Sequence, residues 1–317
     1  MKTLDNYINE INTIFRREDD RYKAHERCRP LLLEMAKNSD VLYEIITKNI
    51  LRPGFWEQKR INPVIALDIE TNETVSFVAH CWMPLPGRDT NTTHQSIHHH
   101  GKLLLTSVAA FGPGYESIIF KKGFNIDKST GLTDMKMDKC YRNNYLNIEF
   151  IDINTPHVVF YPGEFSITYA LWTNNEANRS EGLKKIGLIN RYKKQLRNVI
   201  DFFGLAGMLG LNTIEYLDFY PKDGKVIGMK SRIMYPVGTN VSFIKGFFSL
   251  LRSVRYPDID ALKTSVKESG SASKPLLENG VKAFENDEEL KDDFEPSHLD
   301  IEFVNLKRDA LAKVFNI

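Results

Sequence analysis

The histidines of one short segment offer the clearest chemistry in the chain. His98, His99 and His100 are consecutive, and His157 stands further on, directly before an apolar run. Because side chains alternate between the two faces of an extended strand, His98 and His100 point to one side and His99 to the other. Two imidazoles on one face, with a third from a neighbouring strand, suit a divalent transition metal and leave coordination positions open for chemistry. His98, His100 and His157 are therefore a candidate metal site.

The spacing of the apolar residues indicates which elements carry these histidines. Within the first 50 residues Leu4, Ile8, Ile11 and Phe15 recur at helical spacing, which predicts helices. From residue 61 the period changes to two, with turns rich in Gly, Pro and Asn between the strands. The sequence predicts strands over residues 64–69, 75–82, 103–110, 115–121, 147–153, 157–161 and 165–172. Many short strands of this kind are typical of an all-β sandwich or barrel.

The remainder of the chain has a different pattern. Lys222-Asp223-Gly224 predicts the turn of a late hairpin, and residues 241–254 read as an apolar helix. Residues 266–297 are rich in Ser, Gly and charged types, which predicts a mobile surface segment. The resulting division is a helical lead-in, a β domain with the metal site, a mixed helical extension, the charged segment and a terminal helix. Their predicted bounds are 1–55, 56–180, 181–265, 266–297 and 298–317.

Composition narrows the setting in which the protein works. The 317 residues carry a net charge of +1, so no overall field favours nucleic acid or a membrane surface as partner. The three cysteines are odd in number and form no Cys-x-x-Cys pair, which argues against a disulfide framework and for a reducing compartment. No apolar run is long enough for a secretory signal or a membrane span. We expect a cytoplasmic protein whose partner is a small-molecule substrate.

Residues 40–174 resemble the cysteine-dioxygenase-like branch of the cupin superfamily. The resemblance depends on the order in which five short motifs follow one another. They are Leu51-Arg52-Pro53-Gly54-Phe55, Cys81-Trp82, Ile97-His98-His99-His100-Gly101, Pro156-His157 and Ser166-Ile167-Thr168-Tyr169-Ala170-Leu171-Trp172. In that family Asp usually stands where this chain has His99. The resemblance implies a mainly β fold, a cupin (double-stranded β-helix) barrel with N-terminal helices, to which this chain adds a C-terminal α/β extension.

The resemblance also implies an activity. His98, His100 and His157 would hold Fe(II), and the protein would be a non-haem dioxygenase with O2 as co-substrate. The best-known members oxidise a thiol to a sulfinate. Many other cupins add a Glu after the second histidine, but Leu103, Leu104 and Leu105 stand there in this chain. This favours three ligands over four, with zinc, nickel and manganese as alternatives to iron.

Departures from the family pattern bear on the substrate. An Arg that clamps the substrate carboxylate would fall near Ile65-Ala66-Leu67, where no guanidinium stands, and the nearby Arg60 and Arg88 are the alternatives. The family's Ser-x-His-x-Tyr trio falls on Thr168, Ala170 and Trp172, so that only a hydroxyl is kept. We therefore expect a substrate other than free cysteine, either a small molecule or a group carried by a peptide or carrier protein. Thr168 is the candidate catalytic residue.

Several alternatives stay open on the sequence alone. Trp82 and Trp172 end apolar strands and either line the substrate pocket or pack in the core. His80 is expected to be an ordinary core or surface histidine. Residues 182–254 either cover the mouth of the barrel or stabilise the outside of the sheet. A ligand-binding or interaction module without O2 chemistry, and a metal-dependent isomerase or hydrolase, are the competing functions.

Overall fold

The computed structural model of the protein combines helices with antiparallel sheets. It describes residues 2–60, 64–85, 87, 91–93, 97–174, 217–230, 239–290 and 307–316. The described helices are α1 (Leu4–Arg17), α2 (Arg21–Ala36), α3 (Ser39–Ile50), α4 (Asn240–Ser253), α5 (Ile259–Glu268), α6 (Lys274–Glu285) and α7 (Arg308–Phe315). The predicted helix of residues 241–254 is therefore confirmed as α4. Residues 175–216, which hold the start of the predicted extension, lie outside the described part.

The N-terminal helices form where capping and apolar spacing agree. Thr3 caps α1 and accepts a hydrogen bond from the Asn6 backbone, and Asp20 caps α2 in the same way. Along α1 the apolar positions predicted from their spacing are all buried, and they join one core with α2 and α3. Helices α2 and α3 pack against one face of the largest sheet, and α1 packs on these two helices.

That largest sheet has the strand order β1-β2-β9-β3-β7, and every neighbouring pair is antiparallel. Its strands are β1 (Val64–Thr71), β2 (Val75–Trp82), β3 (Leu103–Phe111), β7 (Ile148–Ile151) and β9 (Ser166–Asn174). Alternation divides each central strand between two faces. Phe77 and Tyr169 pack on the helical side, with ring centroids 6.4 Å apart. The alternate residues of the same strands, among them Thr168 and Ala170, face the other way, into a cavity.

Two smaller sheets complete the described β structure. One has the order β6-β4-β8, and the other has the order β10-β11-β5. Their strands are β4 (Glu116–Phe120), β5 (Leu132–Thr133), β6 (Met137–Arg142), β8 (His157–Val159), β10 (Leu217–Lys222) and β11 (Lys225–Lys230). The predicted hairpin is β10–β11. Ile97 joins the two sheets, because it exchanges backbone hydrogen bonds of 2.7 Å with Phe219 of β10 while His98 pairs with His157 of β8.

The structure differs from the sequence-based expectations in the C-terminal part and in the small strands. Within the predicted mobile segment 266–297, α6 is a helix whose Leu277 is completely buried. Strands β5 and β6 were not predicted, since β6 has few apolar residues and a largely exposed pattern. No helix among the described residues is long and apolar enough to cross a membrane.

Candidate metal centre and substrate cavity

His98, His100 and His157 converge at one point of the fold. Their candidate ligand atoms all lie within 4.8 Å of one another. The ring centroid of His157 is 4.3 Å from that of His98 and 4.5 Å from that of His100. The backbone fixes this approach, because His98 and His157 exchange hydrogen bonds of 2.9 and 2.8 Å between their strands. We call these three residues the three-His cluster.

The environment of His157 suits a metal ligand. Its Nδ1 lies 3.0 Å from the Thr155 carbonyl oxygen, to which it donates, and this leaves Nε2 free to face the cluster. Burial lowers the pKa of His157 to about 4, although the hydrogen bond to Thr155 opposes the shift. The ring is therefore neutral at pH 7, which is the form of imidazole that binds metals.

His99 takes no part in the cluster, as strand alternation predicts. Its Nδ1 accepts a hydrogen bond of 3.0 Å from the Gly101 backbone, and its ring lies 6.1 Å from that of Phe219. Burial lowers the pKa of His99 as well. Of the three consecutive histidines, His98 and His100 therefore line the cavity, and His99 faces Phe219 of the β10-β11-β5 sheet.

The donor set of the three-His cluster fits one divalent transition metal. Imidazole nitrogens bind such ions at about 2.1 Å, so two nitrogens on one ion are at most about 4.2 Å apart. The observed upper limit of 4.8 Å is close to that distance. Three neutral ligands also leave the charge of the ion uncompensated, which favours anionic or polarisable partners at its open positions.

The cluster opens into a cavity of about 650 Å³ between the largest sheet and the β6-β4-β8 sheet. Trp82, Thr168 and Trp172 all line it. The ring of Trp172 is 4.6 Å from that of His100, and Trp82 Nε1 donates a 2.9 Å hydrogen bond to Thr168 Oγ1. Because Thr168 accepts there, its own proton remains to be donated to a bound molecule.

His80 is a cavity residue that sequence reasoning placed elsewhere. It pairs with Ala66 on β1 and Thr168 on β9, and its ring lies 6.0 Å from that of Trp82. It is half-buried because it faces the cavity, and the surrounding protein lowers its pKa to about 4 by desolvation. His80 and Trp82 are two residues apart in β2 and therefore lie on the same face of the strand. This spacing was the sequence feature that could have identified His80 as a cavity residue.

The rest of the described wall is mainly apolar and hydroxylic. Ala66 is the exposed, cavity-lining residue of the segment where the resemblance places a substrate-binding Arg. Among the described lining residues the acidic and basic side chains are Glu73 and Lys59, and both are exposed. Phe243 of α4 also lines the cavity, so the predicted extension supplies at least one wall residue. Further wall residues that the sequence did not indicate carry hydroxyl groups, among them Ser107, Tyr115, Ser117 and Tyr141.

Comparisons with known proteins give only distant likeness. No protein-family model matches the chain, and no curated protein matches it. A conserved protein with a double-stranded β-helix domain from Klebsiella pneumoniae is 11% identical; the match covers 41% of this chain and 89% of that one, with a TM-score of 0.23. A sugar phosphate isomerase of the cupin superfamily from Silicibacter pomeroyi is 6% identical. The match covers 36% of this chain and 61% of that one, with a TM-score of 0.24.

A third solved structure is the formate complex of oxalate decarboxylase from Lactobacillus farciminis. It is 11% identical, the match covers 39% of this chain and 32% of that one, and the TM-score is 0.24. Likeness this partial carries no argument about the activity of the present chain. The function has to be inferred from the three-His cluster and its cavity.

Proposed function

We propose that this protein is a cupin-type, Fe(II)-dependent dioxygenase that acts on a small molecule or on a group carried by a peptide or carrier protein. The observation that supports the proposal is the convergence of the three-His cluster in a cavity large enough for a ligand. In this proposal residues 56–180 form the cupin barrel, and the helices and the C-terminal extension support it.

The surrounding residues have defined parts in this proposal. When bound, Fe(II) would supply the activation of O2 and open positions for a substrate. The Thr155 carbonyl holds the His157 ring in one orientation, and Trp172 packs against His100. Thr168, held by Trp82, would donate a hydrogen bond to the substrate. His80 is a neutral imidazole in the same wall and could accept a proton there.

The proposed substrate is not free cysteine. A zwitterion of that size needs a cation for its carboxylate, and Ala66 stands in the wall segment where the family resemblance places one. A charge-assisted hydrogen bond is worth about 1.5–3 kcal/mol, so the missing clamp costs free cysteine roughly tenfold or more in binding. The cavity of about 650 Å³ also lies within the roughly 300–1,000 Å³ range that suits larger ligands.

Metal content and O2 consumption test the proposal. The protein is purified without added metal, its metals are quantified, and O2 uptake is measured with Fe(II), with Zn(II) and with neither. A panel of thiols, including free cysteine and a cysteine-containing peptide, is supplied as substrate. We expect stoichiometric iron, and O2 uptake with a panel member other than free cysteine only in the iron form.

Each competing function has its own result in that experiment. Zinc, nickel or manganese as the resident metal without O2 uptake would indicate an isomerase or hydrolase. A chain that binds no metal would be a ligand-binding or interaction module. Rapid oxidation of free cysteine would keep the dioxygenase but refute the proposed substrate class.

A further inference from the structure

One part of the cavity wall is built from hydroxyl groups. Ser107 comes from β3, Ser117 from β4 and Tyr141 from β6, and Tyr115 stands between β3 and β4. We call these four residues the hydroxyl wall. Ser117 and Tyr141 are direct cross-strand partners, so their side chains leave the sheet on the same face.

The hydroxyl wall is shielded from bulk solvent, and its hydroxyls are only partly satisfied by one another: the Tyr115 phenol interacts with Ser107 and Tyr141. Ser107 and Ser117 are each only 3% exposed, and Tyr115 is buried against Trp82 with ring centroids 4.5 Å apart. Ser117 Oγ has no hydrogen-bond partner among the described residues. A buried hydroxyl without a partner costs free energy, so it is expected to meet a water molecule or a ligand atom.

The position of the wall relates it to the three-His cluster. Ser117 pairs with Val159, and the pair two residues along the same strands is Ile119 with His157. Two residues of a strand span about 7 Å. A ligand held at the hydroxyl wall therefore reaches the cluster with a body of a few bonded atoms.

The chemistry of the wall selects the ligand. Serine and tyrosine hydroxyls both donate and accept, so they pair with an uncharged oxygen function, whereas a desolvated carboxylate needs a cation. A second part of the described lining is apolar. It includes Val78, Leu103, Leu105, Ile151 and Ala170.

We infer that the hydroxyl wall binds an uncharged hydroxyl or carbonyl group of a predominantly apolar substrate whose other end lies at the three-His cluster. The inference rests on the proposed function only for that other end. The hydrogen bonds at the wall do not depend on which metal is present.

Three probes of one shape test the inference: 2-naphthol, naphthalene and 2-naphthoate. Their dissociation constants are measured by ligand-observed NMR with the full chain. We expect 2-naphthol to bind more tightly than the other two, because each neutral hydrogen bond is worth about two- to tenfold in affinity. Tyr115→Phe and Ser117→Ala should each reduce the ratio of the naphthalene to the 2-naphthol dissociation constant by a factor of about two to ten. Tyr169→Phe is the matched control, since it removes a buried tyrosine hydroxyl from the opposite face of the sheet.

Each other result would overturn the inference. Tighter binding of 2-naphthoate, equal binding of 2-naphthol and naphthalene, absence of binding by all three, or a preference that survives in both wall variants would do so. Metal content is measured in the same samples. If 2-naphthol binds as expected to protein that takes up no metal, the proposed function fails while this inference stands.

Discussion

A histidine lies against each face of the largest sheet, His25 fully buried and His80 half-buried, and the two have opposite surroundings. On the helical face both ring nitrogens of His25 in α2 are hydrogen-bonded. Nδ1 is 2.8 Å from Thr106 Oγ1, and Nε2 is 2.7 Å from Thr173 Oγ1. On the cavity face His80 has no hydrogen bond to its ring nitrogens among the described residues. Burial nevertheless lowers the pKa of each to about 4.

A lowered pKa therefore does not distinguish the two faces, whereas hydrogen bonding does. His25 has both nitrogens engaged, so it links a helix to two strands and has nothing left to offer a ligand. His80 keeps its polar atoms for whatever occupies the cavity. The difference indicates that the helical face provides stability and the cavity face provides chemistry, and the following predictions test that division.

The largest effect is expected for removal of a cluster histidine. His98→Ala, His100→Ala and His157→Ala should each weaken metal binding by at least about 100-fold, since even an outer-shell change costs about 10–100-fold. The helical core is untouched in these variants, so each should stay folded. Metal analysis and circular dichroism of the purified variants measure both. His99→Ala is the control and should retain metal; stoichiometric metal in His98→Ala would refute the ligand assignment.

Removal of the histidine on the helical face should have the reverse effect. His25→Ala leaves the hydroxyls of Thr106 and Thr173 buried without their partner and opens a void, which we expect to destabilise the fold by about 2–4 kcal/mol. Urea unfolding measures the free energy of unfolding, and metal content should not change. His80→Ala is the comparison on the cavity face. If it destabilises the fold as much as His25→Ala does, the division between the faces is wrong.

Acid should weaken the helical face through the same residue. The pKa of His25 is about 4 in the folded protein and about 6.5 in the unfolded chain, so the unfolded chain binds a proton first as the pH falls. The contribution of His25 is complete above pH 6.5 and falls by about 2–3 kcal/mol by pH 4.5. Unfolding free energies of the wild type and His25→Gln, at pH 7 and pH 4.5, measure this. Between pH 7 and pH 4.5 the unfolding free energy of His25→Gln should fall by about 2–3 kcal/mol less than that of the wild type. Equal losses in the two proteins would show that His25 is not the group responsible.

The smallest effect is expected at Thr168. Thr168→Val removes the acceptor of the Trp82 indole and should destabilise the fold by about 1–2 kcal/mol, with lower turnover and unchanged metal content. Thr168→Ser keeps the hydroxyl and should restore most of the turnover. Urea unfolding and the O2-uptake assay are the measurements, and a serine variant as impaired as the valine variant would exclude a role for the hydroxyl.

Sequence periodicity predicted the elements in which local pattern and tertiary burial agree. The spacing of Leu4, Ile8, Ile11 and Phe15 predicted α1, and the period of two predicted strands β2 and β9. The same alternation separated His99 from His98 and His100. The convergence of these two with His157 followed from the family resemblance, and the structure brings the three together. That the three histidines bind a metal, and which metal it is, stays a prediction.

Features that depend on distant contacts could not be predicted in this way. Helix α6 carries an apolar stripe that includes Leu277 and Val281, but the polar residues around it in the segment 266–297 obscured that pattern. Its place is set by packing, because a Cβ on Gly280 would lie 2.3 Å from the ring of Phe248 in α4. The hydroxyl wall gathers residues from three strands, and no local pattern brings them together. Phe243 reaches the cavity from α4, which the chain places more than one hundred residues after His98.

The pairing of Ile97 with Phe219 bears on how the protein is made. The segment that carries His98 has its backbone satisfied on one side by β8 and on the other by β10, which is synthesised much later. Contacts between residues so far apart in sequence form slowly, because a long loop must close before they contribute. A nascent chain that ends before β10 would therefore leave an open strand edge beside its histidines, and metal capture is expected to be among the last events of folding.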